Sequence, residues 1–221
     1  MLTNPADAAR LVLPEPGLPN PQFARPASAE RVERATQSLN ARGFPSEIVD
    51  SREEARRRVL SALPEGAEVH SALSETMREL GITTEIDESG RYQSVRKRLM
   101  QFDRATQFRE MQKMAAAPDY MVGSANAVTE YGDILVGSGS GSQIGAYAYA
   151  AGHVILVVGH QKIVRDVAEG MRRIREYCVP LEFERMRSIG RQGTVLAKTL
   201  ILHAEFQGRV RVILIRDVIG F

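Results

Sequence analysis

The apolar positions of this chain change their spacing along its length, and the changes mark out the elements. Val32, Ala35 and Leu39 recur at helical spacing, with Ser28 placed to cap the helix and Gly43 to end it in the left-handed conformation. Ile48-Val49 reads as a short strand. Ser51-Arg52-Glu53-Glu54 is a capping-box pattern, in which Ser51 accepts from the Glu54 amide and Glu54 reaches back. The helix it opens buries Ala55, Val59 and Leu60, and a strand near Ala67–His70 and a short helix closing at Gly81 follow. Such alternation predicts a parallel sheet with crossover helices.

From about Ser89 to Ala117 the pattern is helical and charged, and predicts a helical layer or lobe over 89–117. Leu99, Met100, Phe102, Phe108, Met111 and Met114 there have the spacing of core positions. Farther on, Asp119–Ser124 is an apolar strand entry. Ala127–Thr129 and Ile134–Val136 are β-prone runs on either side of the turn-like tetrad Glu130-Tyr131-Gly132-Asp133. Val154–Val158 is a continuous apolar run, as expected of a strand buried on both faces. Ile163–Tyr177 reads as an amphipathic helix, and Thr199–Phe206 and Arg209–Ile215 as two strands joined into a hairpin across Gln207-Gly208. The fold class that results is α/β: a Rossmann-like, mainly parallel sheet flanked by helices, with a C-terminal β-hairpin.

Composition adds an N-terminal arm. Six of the ten prolines (Pro5, Pro14, Pro16, Pro19, Pro21 and Pro26) fall in the first 26 of 221 residues, and proline removes a backbone donor and disfavours helix before it. Residues 1–27 are therefore expected to be extended, and residues 28–221 to form a single α/β domain. The formal charge of +2 argues against a nucleic-acid partner. Basic residues do crowd one stretch (Arg91, Arg96, Lys97, Arg98, Arg104, Arg109 and Lys113), where a solvated helix face is the expected reading. No uninterrupted apolar run approaches membrane-spanning length and no secretory signal is evident, so a cytoplasmic location without a membrane partner is expected. Cys178, the only cysteine, cannot by itself ligate an iron–sulfur cluster and is expected in the core. His70, His153, His160 and His203 lack metal-ligand spacing, so neither a metal nor a cofactor is expected in this chain.

The chemistry concentrates in the glycine- and serine-rich run Gly137, Ser138, Gly139, Ser140, Gly141, Ser142 and Gln143, followed by helix-forming Ala146–Ala151. Glycines let backbone amides approach a ligand, and a helix start there would favour an anion. The run is neither a Walker loop, lacking Gly-Lys-Ser/Thr, nor a dinucleotide fingerprint, since Gly145 falls one place late. Glu130 is the candidate nucleophile or general base, with a turn role as the alternative. Asn126 is a candidate orienting group, with strand-end capping as its alternative. His160 and Lys162 follow the buried strand, at the carboxyl rim where open parallel sheets bind ligands. Lys162 there would balance a bound anion, with an ordinary lysine in the first turn of a helix as the alternative.

Several blocks together are similar to the LUD (lactate utilisation) domain family: Asp119–Ser124, Ala127–Glu130, Gly139–Gln143, Val157–Val164 and Val218–Phe221. The resemblance covers about Ser89 to Phe221 well and is nearest to the stand-alone group with a Gly-x-Gln-Lys-Ile-Val block, here Gly159–Val164. It implies the fold of the glucosamine-phosphate deaminase, ribose-phosphate isomerase and CoA-transferase superfamily. It also implies a role in oxidising L-lactate to pyruvate, as an accessory or ligand-binding subunit beside iron–sulfur partners, any cluster being the partner's. The expected ligand is a small organic acid or a phosphorylated compound. The alternatives are a CoA-transferase-like or sugar-phosphate-handling enzyme using Glu130, and a structural subunit; a homo-oligomer is compatible with each.

Overall fold

A computed structural model describes residues 14–221. Its centre is a six-stranded, all-parallel sheet in the order β1-β10-β7-β4-β2-β3. These strands are Ser46–Val49 (β1), Glu68–Ser71 (β2), Gln93–Ser94 (β3), Tyr120–Gly123 (β4), His153–Gly159 (β7) and Val210–Ile215 (β10). Strand β7 lies between β10 and β4, with Val157 opposite Ile213 and Val122 opposite Ile155. Its continuous apolar run follows from that position, because successive side chains point to opposite faces and both faces are covered. Val154, Leu156 and Val158 join one core with Val32, Ala35 and Leu39 of helix α1 (Ala29–Ala41). Ile155 and Val157 join the other. That second core also contains Ala55 and Val59 of α2 (Arg52–Ser61), Met77 of α3 (Glu75–Glu79), and Ile82 and Ile86 of α4 (Ile82–Glu88).

Between β4 and β7 the chain leaves to start a second, mixed sheet, with strand order β8-β5-β6-β9. Its strands are Ala127–Thr129 (β5), Ile134–Ser138 (β6), Ile163–Val164 (β8) and Lys198–Leu202 (β9). Val128, Ile134, Val136 and Ile163 face the α1 core. Ala127, Leu135 and Val164 pack with Ile174 on the other side, beneath α7 (Val167–Arg173), the π-helical turn Ile174–Cys178 and α8 (Val179–Ser188). Gly170 allows that approach, since a Cβ there would lie 2.9 Å from a Leu135 methyl.

Three expectations need correction. The C-terminal hairpin does not form: β9 pairs antiparallel with β6, whereas β10 enters the parallel sheet between β1 and β7. The run Val212–Ile215 is buried on both faces, and only a central strand can offer it two covers. The helix expected over Ile163–Tyr177 starts at Val167, because Asp166 accepts from the Glu169 amide (2.8 Å) as its N-cap; Ile163-Val164 is strand β8 instead. Over 89–117 the apolar positions expected in the core are not buried: Leu99, Phe102, Met111 and Met114 are only half-buried. The segment holds β3, α5 (Val95–Leu99) and α6 (Phe108–Ala116), and α6 has no buried residue. Met100 and Phe108 are exposed. Arg96 and Arg98 of the basic stretch pair with Asp87 and Glu68, while Arg104, Arg109 and Lys113 face solvent.

The described part of the arm lies against its own domain. Pro21–Ala24 forms a 3-10 turn capped by Asn20, Phe23 is buried, the Asn20 amide donates to the Glu176 carbonyl (2.8 Å) and the Ala27 amide to the His160 carbonyl (3.3 Å). The extended conformation expected for residues 1–13 lies outside the described residues.

Candidate functional site

The carboxyl ends of β4 and β7 bring together a buried amine and two hydroxyls. Beyond β7 the chain makes a 3-10 turn over His160–Lys162, which turns Gln161 and Lys162 inward. Lys162 is fully buried, and its Nζ donates to Thr76 Oγ1 (2.9 Å) and Ser124 Oγ (3.1 Å). Thr76 comes from α3, beyond β2, and Ser124 directly follows β4, so three neighbouring loops supply the cluster. Ser124 is half-buried, and its hydroxyl also donates to the Val157 carbonyl (2.7 Å). Beneath it, a Cβ on Gly123 would lie 1.8 Å from the Tyr147 hydroxyl, so only glycine lets that ring pass under β4.

Among the described residues the Lys162 amine has no carboxylate partner. Burial pushes its pKa down to about 7, and the Arg173 guanidinium pushes the same way; Cys178 and Glu79 oppose this weakly. Arg173 is itself fully buried and donates to the carbonyls of Gln161 (3.3 Å) and Asn126 and to Cys178 Sγ (3.1 Å). Gln161 donates through Nε2 to the carbonyls of Ile219 (2.9 Å) and Gly220 (3.0 Å), drawing that segment over the rim, while its buried Oε1 has no partner among the described residues. His160 is half-buried; burial lowers its pKa and Asp217 opposes the shift. The structure therefore separates the rim residues: Lys162 joins the hydroxyl cluster, and no hydrogen bond links the His160 ring to it.

The glycine turn is built differently from its expected form. Gly137 and Ser138 belong to β6, and the Gly137 amide donates to Asn126 Oδ1 (2.8 Å). The Gly141 amide donates to Ser138 Oγ (2.8 Å) and the Ser142 amide to Ser140 Oγ (3.3 Å); Ser138 Oγ donates in turn to Gln143 Oε1 (3.0 Å). The helix that follows ends in a five-residue π-turn, Ala146–Ala150; Arg209 takes the carbonyls of Ala146 and Tyr147 and that of Ala151 just beyond it. The amides of Gly137, Gly141 and Ser142 are thus occupied by the protein's own side chains, and one π-turn offers little dipole. Gly139 and Ser140 are exposed at the tip, Gly139 beside Thr194 and Val195. Asn126 is a strand-end clasp between β5 and β6, the simpler of its two expected roles.

Glu130 lies at the opposite end of β5, also tied down. Its two oxygens accept from Arg31 Nε (2.6 Å) and Arg34 Nη1 (2.7 Å), both on α1. Asp133, at the far end of the same turn, accepts from Arg42, His203 and Thr129. Burial works to raise the Asp133 carboxyl, but the bonds from His203 and Thr129 and the Arg42 charge overcome it and hold it below its usual value. These carboxylates fasten the β5–β6 turn to α1. In this structure both Glu130 oxygens are engaged by arginines of α1.

Of the residues named from sequence, Lys162 alone belongs to the hydroxyl cluster; Asn126 and the Gly137–Gln143 turn form a second group, and Glu130 a third. Thr76, Ser124, Gln161 and Arg173 were not singled out as site residues. Ser124 carried a usable signal, being the first polar residue after an apolar parallel strand. Thr76 carried none, since it meets Ser124 only through the fold. Among the described residues no group of His, Cys, Asp and Glu could hold a metal ion, and no helix is long and apolar enough to cross a membrane.

An open parallel sheet covered on both faces, with its polar cluster at the carboxyl ends of neighbouring strands, defines a Rossmann-like α/β protein. The profile of the LUD domain matches residues 32–200. The chain belongs to the LUD domain family. Among solved structures, a DUF162 family protein from Deinococcus radiodurans has a TM-score of 0.54 at 15% identity, covering 86% of this chain and 99% of its own. It shares the fold. The beta subunit of eIF2B from Chaetomium thermophilum gives a TM-score of 0.36 at 15% identity, over 55% of this chain and 42% of its own. No curated protein matches the sequence.

Proposed function

We propose that this chain holds a small organic acid at the carboxyl rim of the parallel sheet, as an accessory or ligand-binding subunit in oxidation of L-lactate to pyruvate. The observation that carries the reading is Lys162, buried against two neutral hydroxyls with no carboxylate beside it among the described residues. Burying an ammonium without a counter-charge costs several kcal/mol, so a structural lysine would be expected to have an acidic partner. A ligand carboxylate entering past half-buried Ser124 supplies that partner and restores the charge on Nζ. The occupied amides of the Gly137–Gln143 turn favour this rim over the turn as the binding position. The family's link with lactate supports the choice of acid, and iron–sulfur chemistry would be the partner's.

Thermal shift with L-lactate, pyruvate, a sugar phosphate and an acyl-CoA tests the reading. An acid at a hundred times its dissociation constant raises stability by about 2.7 kcal/mol. Lys162→Met should abolish that shift. Binding at pH 8 should also take up a proton, because a carboxylate beside Nζ raises the lysine's pKa. An undiminished shift in the variant, or none with any acid, would refute the proposal.

A further inference from the structure

Ser124, Lys162 and Thr76 have the arrangement of a nucleophile, a base and the group that orients the base. Lys162 Nζ is 3.1 Å from Ser124 Oγ and 2.9 Å from Thr76 Oγ1. Thr76 is itself fixed, since Gly220 packs so closely that a Cβ there would lie 2.3 Å from Thr76 Oγ1. The partners differ in access: Lys162 and Thr76 are buried, and Ser124 is half-buried. Tyr147, buried under Gly123, packs directly beneath that turn.

We infer that Ser124 is a nucleophile for the activated ester or thioester of a small carboxylic acid, with Lys162 as its general base. This rests on the reading of the rim as a carboxylate site, because the carboxylic acid released would occupy the same position. Ser124 Oγ attacks the acyl carbon while its proton passes to Nζ. The C–S or C–O bond then breaks, and the leaving thiolate or alkoxide takes that proton from Nζ. Water then attacks the acyl carbon, giving a proton to Nζ; the acyl C–Oγ bond breaks, Nζ returns that proton to Ser124 Oγ, and the carboxylic acid leaves with Ser124 and the neutral amine restored. No oxidant or reductant is consumed.

Two features of the resting cluster fit this role. The Ser124 proton lies toward the Val157 carbonyl at 2.7 Å, so turning it to Nζ is a single hydroxyl rotation once the amine is neutral. Around Nζ the charged or titratable groups are Arg173, Cys178 and Glu79, and burial together with Arg173 favours the neutral amine near pH 7.

The test uses the full chain with p-nitrophenyl acetate, an acetyl thioester and a fluorophosphonate, read by intact-protein mass and peptide mapping. One acyl or phosphonyl group on Ser124 is expected, absent in Ser124→Ala and formed at least about a hundredfold more slowly in Lys162→Met. The rate should rise with pH through the titration of Lys162. Thermal shift by the organic acid separates this inference from the binding proposal: a wild-type protein that gives the shift but takes up no reagent overturns the nucleophile alone. Failure of the wild-type protein to take up any reagent, or uptake at another residue, overturns the nucleophile. Equal rates in the wild type and Lys162→Met, with both folded by circular dichroism, overturn the base.

Discussion

Lys162→Met should stabilise the protein at neutral pH while removing its ligand. The lysine's pKa falls from 10.5 to about 7 on folding. The unfolded chain therefore binds more protons than the folded one between these values, and stability must rise with pH across that window. Below pH 7 both states are charged and the full cost is present, a gap of roughly three and a half pKa units or about 5 kcal/mol. At pH 7 the cost relative to a neutral side chain is about 4 kcal/mol. Methionine has a similar unbranched stem and removes this cost, but forfeits two hydrogen bonds of about 1 kcal/mol each. The net expectation is a gain of about 2 kcal/mol. Urea unfolding of both proteins at pH 7 and pH 9 measures it, and differences between them cancel groups that titrate alike. The variant's advantage should shrink by about 2 kcal/mol over that interval, as the wild type gains stability. A difference independent of pH would show that Lys162 keeps an ordinary pKa, and would remove the electrostatic basis of both functional readings.

Glu130→Gln should destabilise the fold by about 1–2 kcal/mol, by weakening the clasp to Arg31 and Arg34, yet leave binding of organic acids unchanged; calorimetry reads both effects. His203→Ala should lose about 1 kcal/mol at neutral pH. Because the folded Asp133 carboxyl sits below its usual value of 3.8, its contribution is complete well above that value and disappears as pH falls through the folded pKa; the variant should show a smaller acid-labile component in denaturation. Gly123→Ala should cost about 1–3 kcal/mol by driving its methyl group into Tyr147, seen as a lower melting temperature; an unchanged melting temperature would contradict the packing at β4.

Local pattern and tertiary arrangement contributed separately to this molecule. The buried character of Val154–Val158, the Ser51 cap on α2, the turn at Glu130–Asp133 and the burial of Cys178 were all legible in sequence, because each depends on residues near in the chain or on hydrophobicity alone. Ser28 shows the limit of such signals: it stands at the N-cap of α1, but its hydroxyl donates to Glu30 (3.1 Å). Apolar spacing over 99–114 likewise states that a face exists, not that another element covers it.

What only the tertiary structure decided was which β-prone run pairs with which, and which polar atoms meet. Gln207-Gly208 permits a hairpin, but pairing is settled by where two covered faces are available, and β10 found them between β1 and β7. Thr76 and Ser124 are 48 positions apart, and Ser124 and Lys162 are 38, so their meeting requires β2, β4 and β7 to lie side by side. The lysine's charge state has the same origin. A side chain's intrinsic pKa belongs to its chemistry, whereas desolvation depends on everything folded around it.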